Sequence, residues 1–308
     1  MNRITRIAVA TVIGIGLSRV MPPENEAKAD AEAPELHPIV VSLKGAPSFK
    51  WSTPGTPYLD SLRIRFDLDA MTEDARTDLD RVEILSSWVR TQWDHDGENQ
   101  PRHNDPISIL EEASEGQQFR CVEYATVLSG AINSLGMPAR VLNLKTADSE
   151  VRASGAGHVV TEAYLRDARR WIMVDGQYDV IPTVYGKAVS AYELKKAMKA
   201  RSAGIVFKSN SGTHPGEYAR WIAPYLHFMD ARLDQRLGVA GDSRTLMLIP
   251  AGTRPPRAFQ RAPLKNTIYT TAPAAFYPTP AVARTASKKR APTAPVAALT
   301  VRVTKRAG

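Results

Sequence analysis

The chain has 308 residues, of which 43% are hydrophobic and 23% are charged, which excludes a chain disordered throughout and predicts an ordinary globular body. Its net charge of +8 is unevenly distributed, because residues 250–308 carry 11 Lys or Arg and no acidic residue. Residues 1–249 therefore hold 29 basic and 32 acidic residues, a net charge of −3. The basic character belongs to the tail, and we expect a mildly acidic body.

The first 29 residues are typical of an export signal. Arg3 and Arg6 give a positive start, residues 7–17 form an uncharged apolar run too short to span a bilayer, and Ala27-Lys28-Ala29 offers a cleavage site. The alternatives are a short uncleaved anchor or an N-terminal core strand. We expect an exported protein, periplasmic or secreted, with no transmembrane span after removal of the signal.

The remaining chain divides by composition and hydrophobic spacing. Residues 30–70 predict an extended lead-in, with a strand candidate at 39–43. Residues 71–250 are expected to form the main domain, 251–280 an extended segment packed on it, and 281–308 a basic, Pro- and Ala-rich disordered tail. Helices are predicted over 72–93, 107–113, 121–135, 190–200 and 217–236 (the last broken or kinked at Pro224), and strands over 139–144, 158–165, 170–175 and 246–249.

Cys121 is the single cysteine of the chain, so it forms no internal disulfide and no Cys-based zinc cluster. In an exported protein an unpaired thiol is a liability unless it is buried or used. It also begins the clearest predicted helix, in which positions 121, 125, 128, 132 and 135 fall on one face. The free N–H groups and the positive dipole end there favour a thiolate, and Arg120 adds to this. The alternative is that Cys121 merely heads the apolar stripe.

His158 and Asp175 lie at the same end of two predicted neighbouring strands. A turn at 166–169 sets His158 opposite position 177, whereas a turn at 165–168 sets it directly opposite Asp175 on the same face. Either register leaves the two side chains within one pairing step, which suits a hydrogen bond between imidazole and carboxylate. The alternative is an edge histidine and a strand-ending aspartate with no relation.

Four short motifs follow one another along the chain. They are Phe-Arg-Cys-Val-Glu-Tyr-Ala at 119–125, Leu-Gly-Met-Pro-Ala-Arg at 135–140, Gly-His-Val-Val at 157–160 and Trp-Ile-Met-Val-Asp at 171–175. Their order and spacing resemble the transglutaminase-like superfamily over roughly residues 80–180. The resemblance implies an α+β, papain-like core, with a catalytic cysteine at a helix N-terminus packed on an antiparallel sheet.

The resemblance also implies a nucleophile at Cys121, a base at His158 and an orienting acid at Asp175. Such an enzyme attacks a Gln side-chain amide or a peptide bond and passes the acyl group from a thioester to water or an amine. A non-catalytic binding or scaffold module of the cell envelope is the alternative function. We expect a protein or peptide substrate, and an anionic envelope polymer rather than nucleic acid as a partner of the basic tail.

The donors that would stabilise an oxyanion are less defined. The backbone N–H of Cys121 is one candidate, and Gln117, Gln118 or Trp93 could supply a second, with nothing in the sequence to choose between them. Glu123 is close to the cysteine and either shapes the entrance or is an ordinary helix charge.

Two other groups of residues are assigned structural roles. Asp94, His95, Asp96, His103 and Asp105 match no defined metal-ligand spacing, so they predict a solvated loop, and we expect no metal and no cofactor. Aromatic side chains recur along 217–228, and this spacing favours core packing over a substrate shelf.

Overall fold

The structure is a computed structural model that describes residues 39–239 and 241–281. The predicted signal, the lead-in up to residue 38 and the predicted tail from residue 282 lie outside the described residues. None of the helices in the described part is long and apolar enough to cross a membrane.

The helices are α1 (Pro57–Arg65), α2 (Leu68–Met71), α3 (Asp78–Arg90), α4 (Pro106–Ser114), α5 (Cys121–Ser134), α6 (Ala191–Lys199), α7 (Pro215–Ile222) and α8 (Pro273–Phe276). The strands are β1 (Ile39–Val41), β2 (Ala139–Lys145), β3 (Gly157–Leu165), β4 (Arg170–Val174), β5 (Val180–Val184), β6 (Lys187–Ala188), β7 (Ile205–Ser209), β8 (Phe228–Arg232), β9 (Thr245–Leu248), β10 (Ala258–Phe259), β11 (Ala262–Pro263) and β12 (Thr267–Thr270).

The main sheet has seven strands in the order β1-β12-β9-β8-β2-β3-β4. Strands β8, β2, β3 and β4 pair antiparallel, whereas β1, β12 and β9 pair parallel. Smaller sheets consist of β6-β5-β7 and β10-β11. Alternate residues of β2 and β3 enter two hydrophobic clusters, one with α1 to α5 and the other with α6 to α8. The α+β class and the packing of α5 on the antiparallel part of the sheet are confirmed.

Helix α5 lies at the centre of the domain. All of its residues from Glu123 to Ser134 are buried, so the helix is enclosed on every side rather than on the one face that its apolar spacing predicted. Helices α1, α3 and α4 pack on it, as do β2 and β3. Its first residue, Cys121, stays half-buried, at the one end that is not enclosed.

The β3–β4 hairpin has the first of the two predicted registers. Thr161 pairs with Val174 and Leu165 with Arg170, so the turn is 166–169. The alternative register, with His158 directly opposite Asp175, is wrong. The two registers differ by two residues, and a shift of two residues keeps a side chain on its face.

The helix predicted over 217–236 is wrong beyond residue 222. Pro224 lies in a 3₁₀ turn, Ala223–Tyr225, and residues 228–232 form β8. The backbone of β8 hydrogen bonds to β2 on one side and β9 on the other, so sheet pairing overrides the helical spacing of the apolar residues.

Two further predictions need correction at the N-terminal side. Residues 57–65 and 68–70, expected within an extended lead-in, belong to α1 and α2, and at the start of α1 Thr56 accepts a hydrogen bond from Leu59 N (3.4 Å) and Pro57 begins the helix. The helix expected over 72–93 begins only at Asp78. Thr77 caps it, because its hydroxyl accepts from Asp80 N (3.0 Å) while the Asp80 carboxylate accepts from Thr77 N (2.9 Å).

Candidate active site

Cys121 is the first residue of α5, where backbone N–H groups have no carbonyl within the helix to bind. The preceding residue, Arg120, donates its backbone N–H to Glu123 Oε2 (3.1 Å) and its guanidinium to Glu123 Oε1 (2.7 Å). Glu123 is fully buried, so it fixes the start of the helix rather than shaping an entrance. The charge of Arg120 is thereby paired, and its predicted help to a Cys121 thiolate is weakened.

His158 and Asp175 are in direct contact. His158 Nε2 lies 2.7 Å from Asp175 Oδ2, and both side chains are buried. Asp175 follows β4 and forms a bridge with Val180 at the start of β5, which fixes its backbone. Asp175 Oδ1 accepts from Gln177 N (3.1 Å) and Tyr178 N (3.4 Å), so its second oxygen is also engaged. The carboxylate is therefore held in one orientation.

The Cys121 side chain also interacts with the His158 ring, since it is one of the groups that raise the pKa of His158. Because Nε2 faces Asp175, Nδ1 is the ring nitrogen left for the thiol. Burial lowers the pKa of His158, but the charge of Asp175, its hydrogen bond and the Cys121 contact outweigh burial, and the pKa rises from 6.5 to about 9. The imidazole is thus held as the cation at neutral pH, beside the sulfur. The three predicted site residues lie together.

The sequence missed Tyr218 as a site residue. Its hydroxyl donates to Asp175 Oδ2 (2.7 Å), although the residue lies on α7, outside the four motifs. Burial and the Asp175 charge raise the pKa of Tyr218 well above 10, so the phenol stays a donor. The helical spacing of aromatics had favoured core packing alone; Tyr218 is indeed buried, but its polar end serves Asp175.

Other aromatic rings surround the imidazole. The Trp221 ring meets the His158 ring edge to face at 4.7 Å, and the rings of Tyr178 and Tyr225 lie 6.2 and 6.1 Å from it. All three side chains are half-buried and pack against the core cluster of α6 to α8. They limit access of water to His158 and strengthen its interaction with Asp175.

The oxyanion candidates differ in their surroundings. Trp93 is buried beside α5, with its ring 4.5 Å from the Tyr124 ring and 5.7 Å from that of Phe119. Its Nε1 is a buried donor with no hydrogen-bond partner in the described part of the chain. Gln117 and Gln118 are exposed, and Asn99 Nδ2 donates to Gln117 Oε1 (3.4 Å) and to Gln118 O (2.8 Å). An unpaired buried donor favours Trp93.

Acidic and histidine residues between 94 and 105 hold neighbouring parts of the chain in place. Asp105 caps α4 by accepting from Ile107 N and Ser108 N, each at 3.2 Å, and Asp96 accepts from Glu98 N (2.9 Å). His95 forms a bridge with Phe119, which brings the segment after Trp93 alongside the start of α5.

Residues 68–176 match the profile of the transglutaminase-like superfamily, which is about a third of the chain. The match contains Cys121, His158, Asp175 and Trp93 but ends before Tyr218. No curated protein matches the sequence.

Solved structures are similar over part of the chain. A protein from Cytophaga hutchinsonii described as a candidate cysteine protease is 15% identical, with a TM-score of 0.32, covering 51% of this chain and 49% of its own. A TGase is 19% identical, with a TM-score of 0.29, over 53% and 43%. The red sea bream transglutaminase is 12% identical, with a TM-score of 0.31, over 59% and 30%. The chain thus spans half or less of the length of each.

Proposed function

Since residues 68–176 match the transglutaminase-like superfamily, we propose that this protein is an exported cysteine enzyme that attacks an amide through Cys121. The observation that carries the proposal is the buried His158–Asp175 pair, with 2.7 Å between Nε2 and Oδ2, together with the effect of the Cys121 side chain on the same imidazole, whose pKa it raises. A peptide bond or a Gln side chain is the proposed target, and a peptide or protein the substrate.

In the proposed reaction, the Cys121 thiolate attacks the amide carbonyl carbon and forms a C–S bond. The His158 imidazolium donates its proton to the amide nitrogen as the C–N bond breaks, and the amine or ammonia leaves. The neutral imidazole then takes a proton from water or an acceptor amine, which attacks the thioester and releases Cys121. Asp175 holds the imidazole and Tyr218 holds Asp175, so the orientation of the ring is set before substrate binds.

The negative charge of the tetrahedral intermediate needs donors. The backbone N–H of Cys121 and the indole Nε1 of Trp93 are the proposed pair, since the first has no intrahelical partner and the second is buried and unpaired among the described residues. The exposed position of Gln117 and Gln118 favours them less.

The alternative function is a non-catalytic envelope scaffold. It predicts that the reactivity of the Cys121 thiol does not depend on His158. The test is the pH dependence of the rate at which iodoacetamide alkylates Cys121, in the full chain and in its His158→Ala variant. Mass spectrometry measures the alkylated fraction. We expect alkylation near neutral pH to be at least about tenfold faster in the wild type. Equal rates at all pH values would contradict the resting thiolate–imidazolium pair and favour the scaffold.

A second experiment separates hydrolysis from transamidation. The protein is incubated with a Gln-rich protein such as casein and a fluorescent primary amine, with Cys121→Ala as the control. Amine incorporation indicates transamidation, whereas new termini or deamidated Gln indicate hydrolysis. Cell fractionation tests export, which rests on residues 1–29.

A further inference from the structure

A cleft of about 730 Å³ lies beside the candidate active site and has no role in the proposed reaction. Its wall comes from three places: the loop after β2, helix α6 and the segment that follows α7. The residues that determine its chemistry are Arg152, Lys195, Met198, Lys199, Leu226 and His227.

Two of the three cations at the cleft, Lys195 and Lys199, have no carboxylate partner in the described part of the chain. Lys195 Nζ donates to the backbone carbonyl of His227 (2.6 Å), and burial together with the charge of Lys199 lowers the Lys195 pKa. The acidic residue of the wall, Asp148, accepts from Thr146 Oγ1 (2.5 Å), and this hydrogen bond together with the charge of Arg152 lowers its pKa. An anion between the two ammonium groups would relieve their repulsion.

The same cleft has an apolar lining. The side chains of Met198 and Leu226 border it, together with Pro224, while the ends of Lys199 and Arg152 are exposed at its rim. An apolar wall with cations at its edge fits a ligand that has an aliphatic stem and an anionic end. A glutamate side chain has this form, whereas a compact inorganic phosphate has no stem to bury.

One short segment separates the cleft from His158. Pro224 and Leu226 line the cleft, and Tyr225 between them places its ring 6.1 Å from the His158 ring. The hydroxyl of Tyr225 donates to Gly155 O (3.4 Å), in the loop that runs from the cleft to His158. The cleft and His158 therefore contact the same three-residue segment, 224–226, which is the reason for placing the cleft on the path of a peptide substrate.

We propose that this cleft is a subsite for an acidic side chain of the peptide substrate, bound by Lys195, Lys199 and Arg152 a few residues from the amide that Cys121 attacks. The inference rests on the proposed function for its substrate class. It predicts that the enzyme prefers peptides with glutamate or aspartate near the target amide.

The test is peptide binding to the inert Cys121→Ala full chain. Binding is measured by fluorescence anisotropy at about 0.15 M salt, where long-range electrostatic attraction is largely screened. Two labelled peptides contain the same target Gln and differ only in four flanking positions, all Glu or all Asn. We expect the Glu peptide to bind at least about tenfold more tightly, a difference of about 1.4 kcal/mol. Equal affinities would overturn the proposal.

Variants locate the effect. Lys195→Gln with Lys199→Gln, and separately the exposed Arg152→Gln, should weaken binding of the Glu peptide by about tenfold and threefold, and leave the Asn peptide unchanged. The matched control, Lys187→Gln with Lys265→Gln, removes the same charge from exposed positions outside the cleft. An equal loss in the control would show general attraction and contradict a built subsite. Displacement by inorganic phosphate at the concentration at which free glutamate acts would contradict the choice of an acidic peptide.

These outcomes are distinct from a failure of the proposed function. An inert Cys121 together with selective binding of the Glu peptide would end the enzyme proposal and leave the cleft as an acidic-peptide site. Turnover of both peptides at equal kcat/KM would leave the enzyme proposal intact and end the subsite.

Discussion

Tyr218 and His158 bind the same carboxylate oxygen, Asp175 Oδ2, each at a distance of 2.7 Å. The tyrosine belongs to α7 and the histidine to β3, so one oxygen joins the helix to the sheet. Asp175 is fully buried, and its two lone-pair-bearing oxygens are both occupied by donors. The orientation of the imidazole therefore depends on a residue that the family match does not include.

Replacing Tyr218 by Phe removes this hydrogen bond and keeps the ring. Because a hydrogen bond to a buried charged group contributes about 1.5–3 kcal/mol, we expect the free energy of unfolding to fall by roughly that amount. Alkylation of Cys121 should slow as well, since the imidazole loses part of its support. Urea denaturation and iodoacetamide kinetics measure the two effects. Tyr185→Phe, at a 75% exposed position, is the control, and an equal loss there would contradict the assignment.

The raised pKa of His158 makes stability depend on pH. The folded value of about 9 exceeds the ordinary value of 6.5, so protonation favours the folded state. Its contribution is complete below about pH 6.5 and is lost as the pH rises through about 9. The difference in unfolding free energy between Cys121→Ala and Cys121→Ala/His158→Gln should therefore decrease as the pH rises from about 6.5 to about 9. The effect is expected without the thiol, because Asp175 raises the His158 pKa more than Cys121 does. A difference independent of pH would contradict the charged pair.

Helix α5 and the proximity of His158 to Asp175 could be predicted from the sequence, because both depend on residues that are close together along the chain. Helix α5 has regular apolar spacing and stops before Gly136, which has a φ of +76° and lies ahead of Pro138. The contact between His158 and Asp175 was predictable without the register, because the two possible turns differ by two residues and both keep the side chains on one face.

Long-range partners could not be read from the sequence. Tyr218 lies 43 residues beyond Asp175, and its spacing from Trp221 and Tyr225 is equally typical of a core helix. Residues 228–232 continue the helical spacing of apolar residues, which predicted a helix. They form a strand because they pair with β2 and β9, and local spacing does not indicate such pairing. Similarly, the unpaired Nε1 that favours Trp93 over Gln117 becomes visible only when the ring is buried.

Arg140, from the motif at 135–140, joins the sheet to the chain after α8. Arg140 is fully buried, and its Nη2 lies 2.6 Å from Glu162 Oε2. Its Nη1 donates to Phe276 O (2.7 Å). The guanidinium carbon Cζ lies 4.3 Å from the centre of the Phe276 ring and 4.8 Å from the centre of the Trp171 ring. Arg140→Met leaves Glu162 buried without its cation, so we expect a loss of about 3–5 kcal/mol in unfolding free energy.

Urea denaturation checks this prediction with a surface pair as control. Arg63→Met breaks the exposed pair with Asp69 and should change stability by less than about 1 kcal/mol. Adding Glu162→Leu to Arg140→Met should recover part of the loss, because it removes the uncompensated charge. A loss in Arg140→Met as small as in Arg63→Met would show that the buried pair has little role in the fold.

Trp93→Phe tests whether the indole N–H serves the reaction. Iodoacetamide alkylation forms no oxyanion, so its rate should stay within about twofold, whereas acyl transfer from an amide or activated ester should slow by about 10²–10³. The control is Trp88→Phe, in α3, whose ring packs on Phe66 and should affect neither rate. If alkylation and acyl transfer fall in parallel in Trp93→Phe, the ring supports the start of α5 by packing on Tyr124, and its N–H is not the donor. A selective loss of acyl transfer that appears in kcat rather than in KM would favour Nε1 as the oxyanion donor, because smaller ring volume alone would mainly weaken substrate binding.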